Sequence, residues 1–415
     1  MNASRRSFLA GAGAVAASAA LDAPLVHASG RSTLKVGLVG CGGRGTGAAT
    51  QAMNADPDVK LYAMADAFPD RIQSSLKTLQ AEVADKLDVP AERQFAGFDA
   101  YKKVIAECDV VLLCEPPHFR PKHLKAAIEA GKHVFAEKPV AVDAPGVRSV
   151  LESCRIAKEK RLSVVSGLCL RYSERFREGI KRIHGGEIGK PVYVQANDLR
   201  GGRWSRARLE GMDDMTWQMR NWYNFTWLSG DFNVEQHVHF LDIAAWALGD
   251  RYPVKAVGTG GRQVLTGPEY GNIYDHFAVV YEYSDGTRLL SQTRQQPGCK
   301  NDLSVQVYGS TGVANLSEGK MTVAGWAAPD KGNNVYQTEH DEFFASIRKG
   351  EALNNGEYMC KSTLLAIMGR MAAYTGQSIG WDQALASKED LTPPSYAWGP
   401  HEVPGPAIPG KTKFV

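Results

Sequence analysis

The sequence has no apolar run approaching the ~20 residues that a membrane-crossing helix needs. It has no C-x-x-C pair either: its seven cysteines stand singly at 41, 108, 114, 154, 169, 299 and 360. That spacing speaks against a structural zinc site and against a thioredoxin-like redox centre. There is no long block of one charge sign. With 48 Lys+Arg against 45 Asp+Glu, the formal net charge is only +3. This is too small to point to nucleic acid or to an anionic membrane surface. Internal repeats, low-complexity tracts and a disordered linker are missing too. What is there is ordinary globular composition, 415 residues of which 44% are hydrophobic and 22% charged. At about 150 residues per domain the length allows two or three domains. The neutral balance favours a small-molecule partner.

Ser4-Arg5-Arg6-Ser7-Phe8-Leu9 precedes an Ala/Gly-rich run from Ala10 to Ala20. A charged start, a short apolar stretch and small residues are the parts of an export signal. The paired arginines before Phe-Leu resemble the twin-arginine type. Residues 1–28 are therefore expected to be a signal, with Val26-His27-Ala28 or Ala17-Ser18-Ala19 before the cleavage point. The export machinery is then a partner and the periplasm the destination. That route carries folded proteins, so a cofactor can be loaded before export.

Leu34 to Val39, Val59 to Ala65, Asp109 to Cys114 and His133 to Ala136 read as buried strands. Helical stretches fall between them, and His123 to Ala130 stops at Gly131. Strands alternating with helices predict a doubly wound parallel sheet over residues 33–165. Beyond it, Val192 to Ala196, Asp275 to Tyr283, Thr287 to Arg294 and Leu303 to Tyr308 predict a mostly antiparallel sheet. The turn Ser284-Asp285-Gly286 joins two of them as a hairpin. Glu339 to Lys349 and Lys361 to Thr375 read as late helices. This second, α+β domain is taken as 166–385. Residues 386–415 are a tail, Pro/Gly-rich from Pro393, that wraps the surface.

Gly40-Cys41-Gly42-Gly43-Arg44-Gly45 follows the first strand and opens a helix. Gly40 permits the tight turn, Gly42 lets backbone N–H groups approach a pyrophosphate, and Gly45 lets helix pack on strand. Gly43 and Arg44 sit in the same loop. Asp66 ends the second strand, where a carboxylate accepts hydrogen bonds from ribose hydroxyls. The set predicts a dinucleotide, NAD over NADP, although Arg71 nearby favours NADP. Pro116 and His118 follow the strand ending at Cys114 and face the same edge.

Glu137-Lys138-Pro139 closes the strand that begins at His133. Ligands in such sheets sit beyond the carboxyl ends of the strands, so Lys138 is aimed at the site. A lysine there can hydrogen-bond a substrate hydroxyl and shift its proton affinity. Arg171 follows the last strand of the first domain and is expected to reach cofactor or substrate. Further on, Glu235, His239 and Asp242 share one face if the segment is helical. That face offers His239 as acid/base with a carboxylate beside it. If the segment is extended, Glu235, His237 and His239 project together as a metal triad. Apolar residues continuing from Ile243 favour the helix, and no metal is expected. Arg220, Trp222 and Tyr223 suit a sugar, which offers C–H faces to stack on and hydroxyls to bond.

These motifs, together with Thr363 to Arg370 and Trp381-Asp382, resemble the glucose-fructose oxidoreductase and inositol dehydrogenase family, which also takes in rhizopine-catabolism-like proteins. The resemblance covers nearly all of the chain after residue 28. It implies a Rossmann domain and an α/β domain with an open sheet, and a nicotinamide cofactor between them. It also implies hydride transfer at a sugar or cyclitol hydroxyl carbon. An open sheet often pairs with a second subunit, so a homo-oligomer is expected. Lys138 and His239 take the family's proton-handling positions. Glu235 stands where the family has Asp, and His237 where it has glycine. The departure leaves two alternatives: a glycoside hydrolase or lyase working through a transient keto-sugar, with His237 and Tyr223 as extra acid/base groups, and a non-catalytic sugar-binding protein.

Overall fold

The computed structural model describes residues 32–415; the expected signal lies outside the described residues. The first elements are β1 (Leu34–Val39), α1 (Gly43–Ala55), β2 (Val59–Asp66), α2 (Pro69–Glu82), β3 (Gln94–Ala96), α3 (Ala100–Glu107), β4 (Val110–Leu113), α4 (Arg120–Glu129), β5 (His133–Ala136), α5 (Ala144–Glu159) and β6 (Val164–Ser166). Their six strands form one parallel sheet in the order β3-β2-β1-β4-β5-β6. β4 is buried at every position, as a strand covered by helices on both faces must be. Helix α5 starts where the Asp143 carboxylate accepts from the Gly146 N–H at 2.8 Å, a side-chain cap.

The second domain contains α6 (Glu174–His184), β7 (Pro191–Arg200), α7 (Asp214–Arg220), α8 (Thr226–Ser229), α9 (Phe232–Glu235), α10 (Val238–Ala247), β8 (Lys255–Gly261), β9 (His276–Glu282), β10 (Arg288–Gln295), β11 (Asp302–Gly309), β12 (Val313–Leu316), β13 (Thr322–Val323), β14 (Trp326–Ala327), α11 (Val335–Lys349), α12 (Gly356–Thr375), β15 (Ile379–Gly380) and α13 (Trp381–Ala386). Its nine-stranded sheet has the order β14-β13-β12-β11-β7-β10-β9-β8-β15. Every pair is antiparallel except β7 with β10, which is parallel. The sheet is thus mixed, and its one parallel pair ends at the site described below. Helix α12 is apolar on nearly every face because it is sandwiched between the domains, against α5 on one side and the sheet on the other.

Several boundaries moved, among them the start of α11, at Val335 rather than Glu339. β7 runs to Arg200, past the expected end at Ala196, which adds Asn197, Asp198 and Arg200 to the strand. α12 starts at Gly356 rather than Lys361. α4 starts at Arg120 rather than His123, with Pro121 in its first turn. The tail binds both domains. Leu391 N–H donates to Asp143 at 3.0 Å, and Tyr274 Oη donates to the Ala407 carbonyl at 2.9 Å.

Candidate functional site

The glycine loop does what its spacing requires. Gly40 has φ +93°, and a side chain there would run into the Glu115 and Cys114 backbone. A Cβ on Gly45 would overlap the Gly40 carbonyl oxygen. Gly42 and Gly43 differ: a Cβ on either meets nothing within 4 Å. That open space lies at the N-terminus of α1, where unpaired N–H groups and the helix dipole favour a phosphate. It belongs to a cavity of about 260 Å³ lined by Gly40, Gly42, Asp66, Phe68, Pro116 and Trp222, among others. The residues present fit a dinucleotide.

Asp66 is fixed by its own loop. One carboxylate oxygen accepts from Cys41 N–H at 2.7 Å, the other from Phe68 N–H at 2.9 Å. Burial raises its pKa, and these two bonds oppose the rise. Each oxygen keeps a lone pair for a ribose hydroxyl. Asp66→Ala is expected to weaken NAD by about 10–100-fold, since hydrogen bonds to a charged group contribute roughly 1.5–3 kcal/mol. NADP, which gains from losing the negative charge, falls less. Fluorescence titration with both nucleotides measures the ratio, and an unchanged ratio removes Asp66 from nucleotide choice.

The second constellation forms at the carboxyl end of β5. The Lys138 ammonium donates to the Glu235 carbonyl at 2.7 Å and to its carboxylate at 2.9 Å. Glu235 ends α9, and α10 follows after a two-residue turn. The segment is therefore helical on both sides of a break, and the extended geometry of a metal triad is not adopted. His239 is half-buried on α10. Burial, then the Lys138 and Arg200 charges, push its imidazole well below its ordinary range. His239 is thus a neutral ring in electrostatic contact with Lys138.

Facing them is a polar strip that the sequence reasoning missed. β7 and β10 run parallel with Asp198 opposite Thr293 and Arg200 opposite Gln295. Asp198 lies on the inner face with Val194 and Ala196, by the period of two. It pairs with Arg200 and is 2% exposed. Burial raises its pKa against the pull of Arg200. Gln295 donates to Tyr223 Oη at 2.8 Å. One oxygen each of Asp198, Glu235 and Gln295, with the Thr293 hydroxyl, is buried with no hydrogen-bond partner among the described residues. Buried polar atoms are rarely left so. The signal was Asn197-Asp198 continuing an alternating strand, which read instead as its end.

Several expected site residues are placed differently. Arg171 makes two bonds to Asp242, at 2.8 and 2.9 Å, and two to Asp250, at 2.6 and 3.4 Å. Its guanidinium also stacks on Tyr358. Arg171 and Asp242 are thus partners of each other, with Ser362 as a third, and neither is free for cofactor or substrate. His237 is fully buried and bonded to the Ser291 hydroxyl at 2.7 Å. Burial, then the Arg200 charge, pushes it down to about 3. It serves the core beneath the site, not substrate. His118 meets Tyr396 of the tail at 2.9 Å; it turns away from the cavity that Pro116 lines. Arg220 and Trp222 line the cofactor cavity, not a sugar pocket. Arg220 forks onto Asp70 at 3.0 and 2.8 Å and stacks over Phe68. The second domain thereby closes the end of the cavity beside Asp66. Trp398 of the tail backs Phe68 and Phe98, with ring centroids 5.1 and 4.6 Å away. Arg44 lines the cavity, but its nitrogens bond Glu137, Gln51 and Glu339.

Residues 34–166 match the model of an oxidoreductase family with an NAD-binding Rossmann fold. Residues 180–379 match the model of that family's C-terminal alpha/beta domain. An inositol 2-dehydrogenase of Rhizobium meliloti (strain 1021) is 25% identical over 334 residues, 77% of this chain and 90% of its own. An oxidoreductase of known structure from Thermotoga maritima superposes with a TM-score of 0.67 at 17% identity, covering 85% of this chain and 99% of that one. An aldose-aldose oxidoreductase from Caulobacter crescentus gives 0.65 at 17% identity, covering 84% and 99%. The two structures share the fold.

Proposed function

Because the chain belongs to the Gfo/Idh/MocA oxidoreductase family, we propose that it oxidises or reduces a hydroxyl-bearing carbon of a sugar or cyclitol. The observation that carries this is the meeting of Lys138, Glu235 and His239 at the end of β5, opposite the strip of unpartnered acceptors on β7 and β10. Such acceptors suit a ring of hydroxyl groups, each of which brings a hydrogen to donate.

NAD(P), when bound, supplies the hydride acceptor or donor. This chain's residues manage the rest. The Lys138 ammonium, held by Glu235, donates to the reacting oxygen and stabilises negative charge developing there. Neutral His239 takes the hydroxyl proton on oxidation and returns it on reduction. Asp198, Thr293 and Gln295 accept from the other hydroxyls and fix which carbon is presented. Steady-state absorbance of reduced nicotinamide across a panel of sugars and cyclitols tests the reading. No turnover with any of them defeats it.

A pH dependence follows from His239. Its folded pKa is depressed, so the ring stays unprotonated as the pH is lowered through the ordinary imidazole value of about 6.5. The acid limb of kcat/KM for oxidation is therefore expected below that value, and His239→Asn removes it. A limb at or above the ordinary value assigns the proton to another group.

The proposal extends to an exported, periplasmic protein, supported by the Arg5-Arg6 segment. Arg220, Trp222 and the tail over the cavity support a cofactor retained through turnover and loaded before export. Denaturing purified protein and finding no nucleotide counts against retention. Fractionation of cells carrying Arg5→Lys/Arg6→Lys tests the route; unchanged export ends it. The half-exposed outward face of the sheet, with Tyr193, Val257, Val280 and Leu290, supports a homo-oligomer, which light scattering checks.

A further inference from the structure

We propose that Arg44 is a positioning residue for Lys138. It acts through Glu137, and it ties the dinucleotide loop, the lysine-bearing strand and the second domain into one unit. This rests on the dehydrogenase reading above.

An arginine in a phosphate-binding loop has an obvious use, yet all three nitrogens of this one already bond side chains of the protein. Nε donates to one Glu137 oxygen at 2.5 Å. Nη1 donates to Gln51 at 2.9 Å and Nη2 to Glu339 at 3.3 Å. The Tyr336 ring lies 4.7 Å from the guanidinium carbon. Three nitrogens point in three directions, and each ends at a different place: the residue just after β5, α1 and α11. Only a planar fork spans such a set.

Glu137 is the hinge of the arrangement. Its second oxygen accepts from the Lys138 backbone N–H at 3.0 Å. The carboxylate lies against Gly167, where a Cβ would come within 2.6 Å of it. A side chain at 167 would expel it. Glu339 is completely buried, and one of its oxygens has no partner. Burial first, then the Glu137 charge, push it well above the carboxylate range. Glu137, at the shorter distance, is the carboxylate that Arg44 grips most closely.

The consequence concerns charge. Without Arg44, Glu137 is a buried anion with no cation, which is costly. The nearest cation in sequence is the Lys138 ammonium. That ammonium now sits on Glu235 with both of its bonds. A stray Glu137 competes for it and draws it off the reacting position. Arg44 thus keeps Lys138 in place by occupying the carboxylate next door, without touching substrate itself.

The test is a suppressor comparison. Wild-type turnover is measured first on the sugar and cyclitol panel. Arg44→Ala is expected to lower kcat by at least about tenfold with the sugar KM within about threefold, a displacement effect rather than lost binding. Arg44→Ala/Glu137→Gln is expected to be faster than Arg44→Ala, because the stray charge is gone. A merely structural arginine gives a double variant no better than the single. Arg44→Lys, which keeps the charge but not the fork, falls between wild type and Arg44→Ala. A folded Arg44→Ala with wild-type kcat overturns the proposal, and so does a double variant that recovers nothing. If Arg44→Ala does not fold, Arg44→Met, which fills the stem's space, carries the same comparison. If wild type turns over nothing, the dehydrogenase reading has failed by itself. The positioning role is then read from acylation of Lys138 by an amine-reactive ester, mapped by peptide mass. A changed rate in the Arg44 variant supports it and an unchanged rate overturns it.

Discussion

Lys138→Met is expected to cut the rate of hydride transfer by about 10²–10⁴-fold, the range for removing a positioned proton-handling group. NAD affinity stays within a few-fold. The two effects separate because they belong to different parts of the chain. The nucleotide is expected at the loop from Gly40 to Gly45 and at Asp66, whereas among the described residues the ammonium bonds Glu235 alone. Methionine keeps the length and the apolar stem and removes the charge. The variant also leaves the Glu235 carboxylate, nearly buried, without its cation. Breaking one side of a buried pair costs about 3–5 kcal/mol, and solvent at this partly open site reduces that figure. A lower melting temperature should therefore accompany the lost rate. Lys138→Met/Glu235→Gln should regain stability but not turnover. Stopped-flow absorbance with nucleotide prebound, beside calorimetry of both variants, reads the two effects independently. Retained turnover in Lys138→Met removes the lysine from the chemistry.

The parts of this molecule that local rules control were legible in its sequence. β1, the glycine loop and Asp66 follow from steric demands that only certain residues meet, and the structure places them within hydrogen-bond distance of one another. Helical spacing accounted for Glu235 and His239 only in part: a break separates α9 from α10, and the two are linked through Lys138, which bonds Glu235 and acts on His239 by its charge. Partner choice across long separations was not legible. Arg171 finds Asp242 and Asp250, and Arg220 finds Asp70. Each arginine reads from sequence as a free cation near a site, because nothing local announces a carboxylate many residues away. The same holds for Arg44 with Glu137 and Glu339. Asp198 was hidden for a different reason. A charged residue in a strand usually marks its end or its wet face, and here the strand carries it inward, buried beside Arg200. The parallel pairing of β7 with β10, which aligns the acceptor strip, depends on a crossover that strand patterns alone do not specify.

The glycine loop separates folding from binding, and two substitutions should show it. Gly45→Ala places a methyl group on the Gly40 carbonyl oxygen, which is backbone and cannot yield without moving the turn. Core overpacking of this kind costs about 1–3 kcal/mol or more, and the shifted turn also misplaces the N–H groups of α1. Both stability and nucleotide affinity should fall. Gly42→Ala adds the same methyl group where nothing lies within 4 Å, at φ −76°, which alanine adopts freely. The empty protein should therefore melt within about 1 kcal/mol of wild type, as for a Gly-to-Ala change at a helix N-cap. The methyl group occupies the space through which the pyrophosphate approaches the backbone. NAD affinity should drop by at least about tenfold, roughly 1.4 kcal/mol. Thermal melts without nucleotide, set beside fluorescence titrations with it, distinguish the two. If Gly42→Ala binds NAD as wild type does, the pyrophosphate does not cross the N-terminus of α1, and the cofactor must lie along the cavity in another direction.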